Sequence, residues 1–139
     1  MGIYLYVDGA SRGNPGIAGI GLVVRDCKGN TLTRYRECIG IATNNVAEYR
    51  ALKKGLEIAA RYGRDITVMS DSILMVRQMS KEYKVRRRHL RELVKQVGDL
   101  IARENLDVKY EHIPRWENAD ADRLANEAID MYLAGDASR

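Results

Sequence analysis

Two short apolar runs in this chain each stop on an aspartate. Ile3-Tyr4-Leu5-Tyr6-Val7 ends in Asp8 and passes straight into Gly9, and Ile66-Thr67-Val68-Met69-Ser70 ends in Asp71. Runs of this length and composition read as β-strands with a buried face, so both acids fall at strand ends. Two further acids stand at helix starts. Glu48 lies in the first turns of a long helical pattern that opens after Thr43-Asn44-Asn45, and Asp122 opens another within Asn118-Ala119-Asp120-Ala121-Asp122-Arg123-Leu124-Ala125-Asn126. In an α/β sheet, strand ends and helix starts share one crevice edge, where such folds place their sites. Four carboxylates in one crevice repel each other. A hard cation with oxygen ligands removes that cost, and Mg²⁺ is the usual choice.

Composition narrows the class. The 139 residues, 45% of them hydrophobic, fit one domain spanning 1–139 with a real core. No stretch approaches the ~20 apolar residues of a membrane span. The N-terminus begins a strand directly and lacks the charged region of a secretory signal. Met1-Gly2 does not open a myristoylation motif, because Tyr6 stands where Ser or Thr is required. Cys27 and Cys38 have no metal-ligand spacing and read as buried or half-buried reduced thiols in strand-like segments. The expectation is a cytoplasmic protein with no membrane association and no obligate partner copy, hence a monomer.

The net charge is +4, but its distribution matters more. Lys81, Lys84, Arg86, Arg87, Arg88 and Arg91 crowd one stretch against Glu82 alone. Charge runs are commonly solvated helix faces. Here the arginines sit where a helix begins, and the positive end of a helix dipole disfavours cations. A polyanion would favour them, which makes this stretch a candidate phosphate-binding surface.

Periodicity gives the order β-β-β-α-β-α-α-β-α. Strands are expected over about Ile3–Asp8, Ala18–Asp26, Thr31–Ile39, Asp65–Ser70 and Asp107–Ile113, with a Gly-rich turn over Gly9–Gly16. Helices are expected over about Asn44–Tyr62, Ser72–Met79, Arg87–Glu104 and Asn118–Leu133, the first capped by Thr43 or Asn44 and closed by Gly63. The first three strands can meander antiparallel, and the last two, each reached by a helical crossover, can lie parallel to the first. Methionines and aromatic residues, Met131 and Tyr132 included, read most simply as packing residues; the solitary Trp116 reads first as cover for the last helix, with stacking on substrate as the alternative.

The motifs also resemble a family. Asp8-Gly9-Ala10-Ser11-Arg12-Gly13-Asn14-Pro15-Gly16 resembles the DG-S-x-GNPG opening of type 1 ribonucleases H. Thr43-Asn44-Asn45-Val46-Ala47-Glu48 resembles the family's TNN-x-x-E segment, Ser70-Asp71-Ser72 its SDS, and Ala121-Asp122-Arg123-Leu124-Ala125 its AD-x-LA helix. The four motifs occur in order across nearly the whole chain. The resemblance implies a five-stranded mixed sheet, order 3-2-1-4-5, flanked by helices. It also implies an endonuclease that hydrolyses the RNA strand of an RNA–DNA hybrid. Asp8 would then bridge two Mg²⁺ ions, roughly 3.5–4 Å apart as in two-metal sites generally, with Mn²⁺ as a substitute. Glu48, Asp71 and Asp122 would complete the shells, and the products would carry 5′-phosphate and 3′-hydroxyl ends. The family spacing selects Asp122 over Asp120.

The resemblance extends to substrate contacts. Asn14, Asn44, Asn45, Ser72 and the Gly9–Ser11 backbone would meet the minor groove, where the 2′-OH marks RNA. Thr43 would meet a DNA phosphate, and Lys84, Arg86, Arg87 and Arg88 occupy the place of a substrate-binding protrusion, shortened and without its extra helix. Ordinary capping chemistry is the competing account for Asn14, Asn44 and Thr43. Ile73 replaces a glutamine that many members place two residues after the strand-four aspartate. Many members also carry a histidine in the loop before the last acid. Here His112 reads as a strand residue, and Arg115 is the candidate for the assisting role. A resolvase- or integrase-like DNA nuclease and a non-catalytic hybrid-binding module are alternatives on the same fold. A phosphoryl-accepting receiver domain fits the antiparallel start poorly.

Overall fold

The apolar alternation of the two aspartate-tipped runs brings them side by side. In the computed structural model, which describes residues 2–81 and 84–137, β1 (Ile3–Gly13) pairs with β4 (Asp65–Ser70) in parallel, from Ile3 opposite Ile66 to Tyr6 opposite Met69. Met1 and Glu82, both weighed in the sequence, lie outside the described residues. β2 (Gly16–Arg25) runs antiparallel to β1 and to β3 (Thr31–Ala42), and β5 (Asp107–His112) runs parallel to β4. The strand order is 3-2-1-4-5, as expected.

Helices cover both faces, and side-chain parity along the strands decides which residues meet which. Ile3, Leu5 and Val7 of β1 and Ile20, Leu22 and Val24 of β2 join one core with Tyr49, Leu52 and Leu56 of α1 (Asn44–Ala59). The same core takes Met75 from α2 (Ile73–Met79) and Leu90, Val97 and Leu100 from α3 (Arg88–Arg103). The stripes on α1 and α3 follow the helical spacing of their apolar residues. On the opposite face lies α4 (Ala119–Ala137), entered through a 3-10 turn at Arg115–Asn118. Its Ala121, Leu124, Ala125, Ala128 and Ile129 are buried. Among the described residues no helix is long and apolar enough to cross a membrane.

Several expectations need correction. Residues 9–13, read as a Gly-rich turn, continue β1 in register with Gly16–Ile20, and only the cis Asn14–Pro15 link turns the chain. The turn residues were read by composition, but backbone pairing with β2 holds them extended. Helix α1 stops at Ala59, so Gly63 is not its C-terminal cap and has no positive φ. Cys27 is exposed in the β2–β3 turn, while Cys38 is half-buried. Met131, Tyr132 and Trp116 are exposed rather than packed, Trp116 by 76%. The 3-10 turn is a single turn whose buried position is Asn118, which leaves the indole outward.

The seat of α4 depends on a missing side chain. A Cβ on Gly21 would stand 2.2 Å from the Ala121 carbonyl oxygen and 2.6 Å from the Ala125 nitrogen. Both are backbone atoms that cannot yield without moving the helix. Gly21→Ala should therefore cost about 2–3 kcal/mol, at the upper end for overpacking. Thermal or urea unfolding measures this, and a stability within error of the wild type would show that α4 rides freely on β2.

Candidate metal-binding and nucleic-acid site

Register carries the acids to one edge. Tyr6 and Met69 form the last β1–β4 pair, so Asp8 and Asp71 each lie two residues further along parallel strands and project on equivalent sides. Glu48 reaches them from the second turn of α1, whose start is fixed by Thr43: its Oγ1 accepts from the Val46 N–H at 3.2 Å. The approach of α1 is close because residue 9 is glycine. A Cβ there would lie 2.3 Å from the Ala47 carbonyl carbon and 2.5 Å from the Glu48 nitrogen. The Gly9 backbone thus lies directly beside the carboxylate-bearing turn of α1.

One carboxylate oxygen from each of Asp8, Glu48 and Asp71 lies within 4.8 Å of the others. Asp122 is not in that tightest set, but it lines the same crevice as Asp8. All four acids line one crevice of about 370 Å³, with Arg115 at its mouth. Asp8 and Glu48 are buried, 5% and 9% exposed, and Glu48 Oε2 has no hydrogen-bond partner among the described residues. Arg115 is the nearest cation, its Nε 4.0 Å from Asp71 Oδ2, and its side chain is almost wholly in solvent. The donor set thus fits a hard divalent cation: clustered oxygens, one of them unpaired, and no internal charge that cancels them.

The protonation states follow. Burial, then the neighbouring charge of Glu48, pushes the Asp8 carboxyl up to about 10. Burial also pushes Glu48 up, to about 7, while its bond with Asp8 and the Gly9 N–H oppose the rise. Without metal, burial and mutual repulsion keep a proton on the Asp8–Glu48 pair. Asp71 is raised by burial, against the opposing charge of Arg115 and, more weakly, His112 at the end of β5.

The other predicted residues separate into groups. Gly9, Ser11, Asn44, Asn45 and Ser72 line the acidic crevice. Several already serve the fold: Asn14 Oδ1 accepts from Asn44 N–H at 3.0 Å, Asn44 Oδ1 from Ser11 N–H at 3.1 Å, and Ser72 Oγ caps α2 through Met75 N–H at 3.3 Å. Asn45 continues into a neighbouring groove of about 460 Å³ that holds Lys84, Arg86 and Arg87. Arg88 is exposed as the first residue of α3 and does not line this groove. Asp120 turns to Arg25 at 2.5 Å and Arg123 at 3.0 Å, away from the role its neighbour fills. Ile73 is 48% exposed at the start of α2. The sequence reading overlooked Asn126, which donates to the Asp122 carbonyl at 3.0 Å and to its Oδ1 at 3.3 Å. Its i, i+4 spacing from Asp122 was the available signal.

Known proteins are similar to this chain in sequence and fold. The reverse transcriptase-like family model matches residues 6–128. A bifunctional protein of Mycobacterium tuberculosis is 45% identical over 132 residues, covering 94% of this chain and 36% of that protein. A ribonuclease HI of Halobacterium salinarum is 40% identical over 129 residues, covering 92% of this chain and 64% of that protein. The chain thus spans roughly a third to two thirds of these curated relatives. Among solved structures, LC11 ribonuclease H1 in complex with an RNA/DNA hybrid superposes with TM-score 0.91 at 45% identity, over 94% of this chain and 99% of that one.

The shared proton gives a signed pH dependence. A carboxyl whose folded pKa is raised binds protons in the native state that the unfolded chain has released. Metal-free stability therefore falls as pH rises from about 4 through about 7 and on toward 10. In chelator the melting temperature should be higher at about pH 5.5 than at about pH 8.5, and Asp8→Asn should raise the latter by at least about 1 kcal/mol equivalent. An Asp8→Asn protein with the wild-type pH profile would contradict the assignment.

Proposed function

Since the chain belongs to the type 1 ribonuclease H family, we propose that it is an endonuclease that hydrolyses the RNA strand of RNA–DNA hybrids, leaving 5′-phosphate and 3′-hydroxyl ends. The observation that carries this is the meeting of Asp8, Glu48 and Asp71 within 4.8 Å at an open crevice, in a chain 45% identical to a hybrid-bound ribonuclease H1. Asp8, Glu48, Asp71 and Asp122 would hold two Mg²⁺ ions, with Asp8 shared. When bound, divalent ions at such a site make the attacking water more acidic and stabilise the departing 3′-oxygen.

The chain's own groups do the remainder. The Thr43-capped start of α1 and its close packing on Gly9 hold Glu48 beside Asp8. Arg115, at the crevice mouth beside Asp71, assists at the reacting phosphate. Asn45, Ser72 and the Gly9–Ser11 backbone read the minor groove, with Asn14, Asn44 and Thr43 chiefly holding that surface in shape. Lys84, Arg86 and Arg87 take phosphates of the hybrid in the groove that Asn45 borders. Trp116 stands exposed next to Arg115, where its face meets the bound strand. The reading takes residues 1–139 as one catalytic domain, acting as a monomer in the cytoplasm.

One sequence presented as RNA–DNA hybrid, double-stranded RNA and double-stranded DNA tests the reading, each with Mg²⁺ and with chelator. Metal-dependent cutting of the RNA in the hybrid alone is expected. Cutting of all-DNA would assign the chain to a DNA nuclease class, and binding without cutting would make it a hybrid-binding module. Replacing Arg86 and Arg87 together by alanine should raise KM and lower the slope of log K against log salt by about 1–2, with Arg88→Ala smaller. An unchanged slope would make the groove a bystander. Trp116 is the chain's only tryptophan, so hybrid titrated in Ca²⁺ should shift its fluorescence; a flat signal at saturation would place the indole off the substrate.

A further inference from the structure

Resting on the metal-site reading above, we infer that Asn118 is a positioning residue for the acidic cluster: it locks the Asp122 helix onto the peptide that carries Asp8. Asn118 is 1% exposed and its Nδ2 donates to the Val7 carbonyl at 2.8 Å, across 111 residues of sequence. Val7 immediately precedes Asp8. Asn118 precedes Asp122 by one helical turn, so the two side chains leave the same face. Asn118 grips the peptide before Asp8, while Asp122 lines the crevice beside Asp8. Asn118 thus clamps α4 to β1 at the peptide next to Asp8.

The site of the clamp lies past the last pair between β1 and β4, on the side of β1 away from β2. The β1–β4 ladder ends at Tyr6 and Met69, and the strands part just where Asp8 and Asp71 emerge. The chain leaving β5 bridges that gap twice, through Ile113 N–H to the Ser70 carbonyl at 2.9 Å and through Asn118 to Val7. Arg115 is suspended between these two anchors. The bond contributes little to stability overall, because Asn118 Oδ1 is buried with no hydrogen-bond partner among the described residues, and an orphaned buried acceptor offsets about what one hydrogen bond supplies. Its effect is geometric: it fixes the separation of the segments that carry Asp8 and Asp122.

Mn²⁺ binding to the substrate-free protein, read by calorimetry, tests this, with the metal needed for half-maximal hybrid cleavage read alongside. Asn118→Ala should weaken Mn²⁺ affinity about tenfold or more, the range for groups that orient metal ligands, and raise the half-maximal metal concentration in parallel. Ile129→Ala, which hollows α4 against Gly19 far from the crevice, serves as a control of equal or greater destabilisation and should keep Mn²⁺ affinity within about twofold. Asn118→Ser, which keeps a polar group too short to reach Val7, should behave as the alanine variant does. An Asn118→Ala protein with wild-type Mn²⁺ affinity, or one no weaker than Ile129→Ala, would overturn the inference. So would failure of both Asn118 variants to fold, which would make the residue structural only. Wild-type protein that binds Mn²⁺ in an Asn118-dependent way but leaves hybrid intact would refute the proposed substrate and not the clamp.

Discussion

Parallel pairing of β1 with β4 is the constraint from which the site follows. With Tyr6 opposite Met69, Asp8 within β1 and Asp71 just past β4 come to the same level of the sheet, and a slip of one residue would turn one of the acids to the other face. Register here is held by burial. Leu5 and Val7 on one strand and Ile66 and Val68 on the other are fully buried in one core with α1. The apolar interior therefore forces a juxtaposition of charges that is unfavourable in itself.

That conflict links packing to chemistry. Glu48 is brought to the same point because Gly9 lets α1 lie against β1 at backbone distance, and Asp122 because Gly21 lets α4 do so against β2. Each close approach adds a carboxylate to an already crowded crevice. The metal-free protein answers by retaining protons, with Asp8 held far above the ordinary carboxylate range. A bound divalent cation would answer by displacing them. Stability without metal and affinity for metal are thus two readings of one repulsion, with opposite dependence on pH.

Much of this was legible in the residues. Strand-length apolar runs ending in Asp8 and Asp71 gave both position and parity, and helical spacing of Tyr49, Leu52 and Leu56 placed Glu48 one turn into a buried helix. What misled was local composition. Gly9 to Gly16 has turn chemistry, yet pairing with β2 keeps most of it in a strand, since ladder hydrogen bonds outweigh a weak local preference. Trp116 was read as packing because a lone aromatic carries no period, and nothing in the sequence says which way a single 3-10 turn will face. Asn118 and Gly21 were not singled out, because their partners lie about a hundred residues away and no local pattern encodes them.

The central claim is that the buried acids hold protons in place of metal. Calorimetric titration of Mn²⁺ into chelator-stripped protein near pH 7, repeated in buffers of different ionisation enthalpy, counts the protons released on binding. The account predicts saturable binding with release of about one proton or more, since the Asp8–Glu48 pair holds a proton beforehand. Binding with no proton release, or no binding, would show that the carboxylates are already ionised and apart.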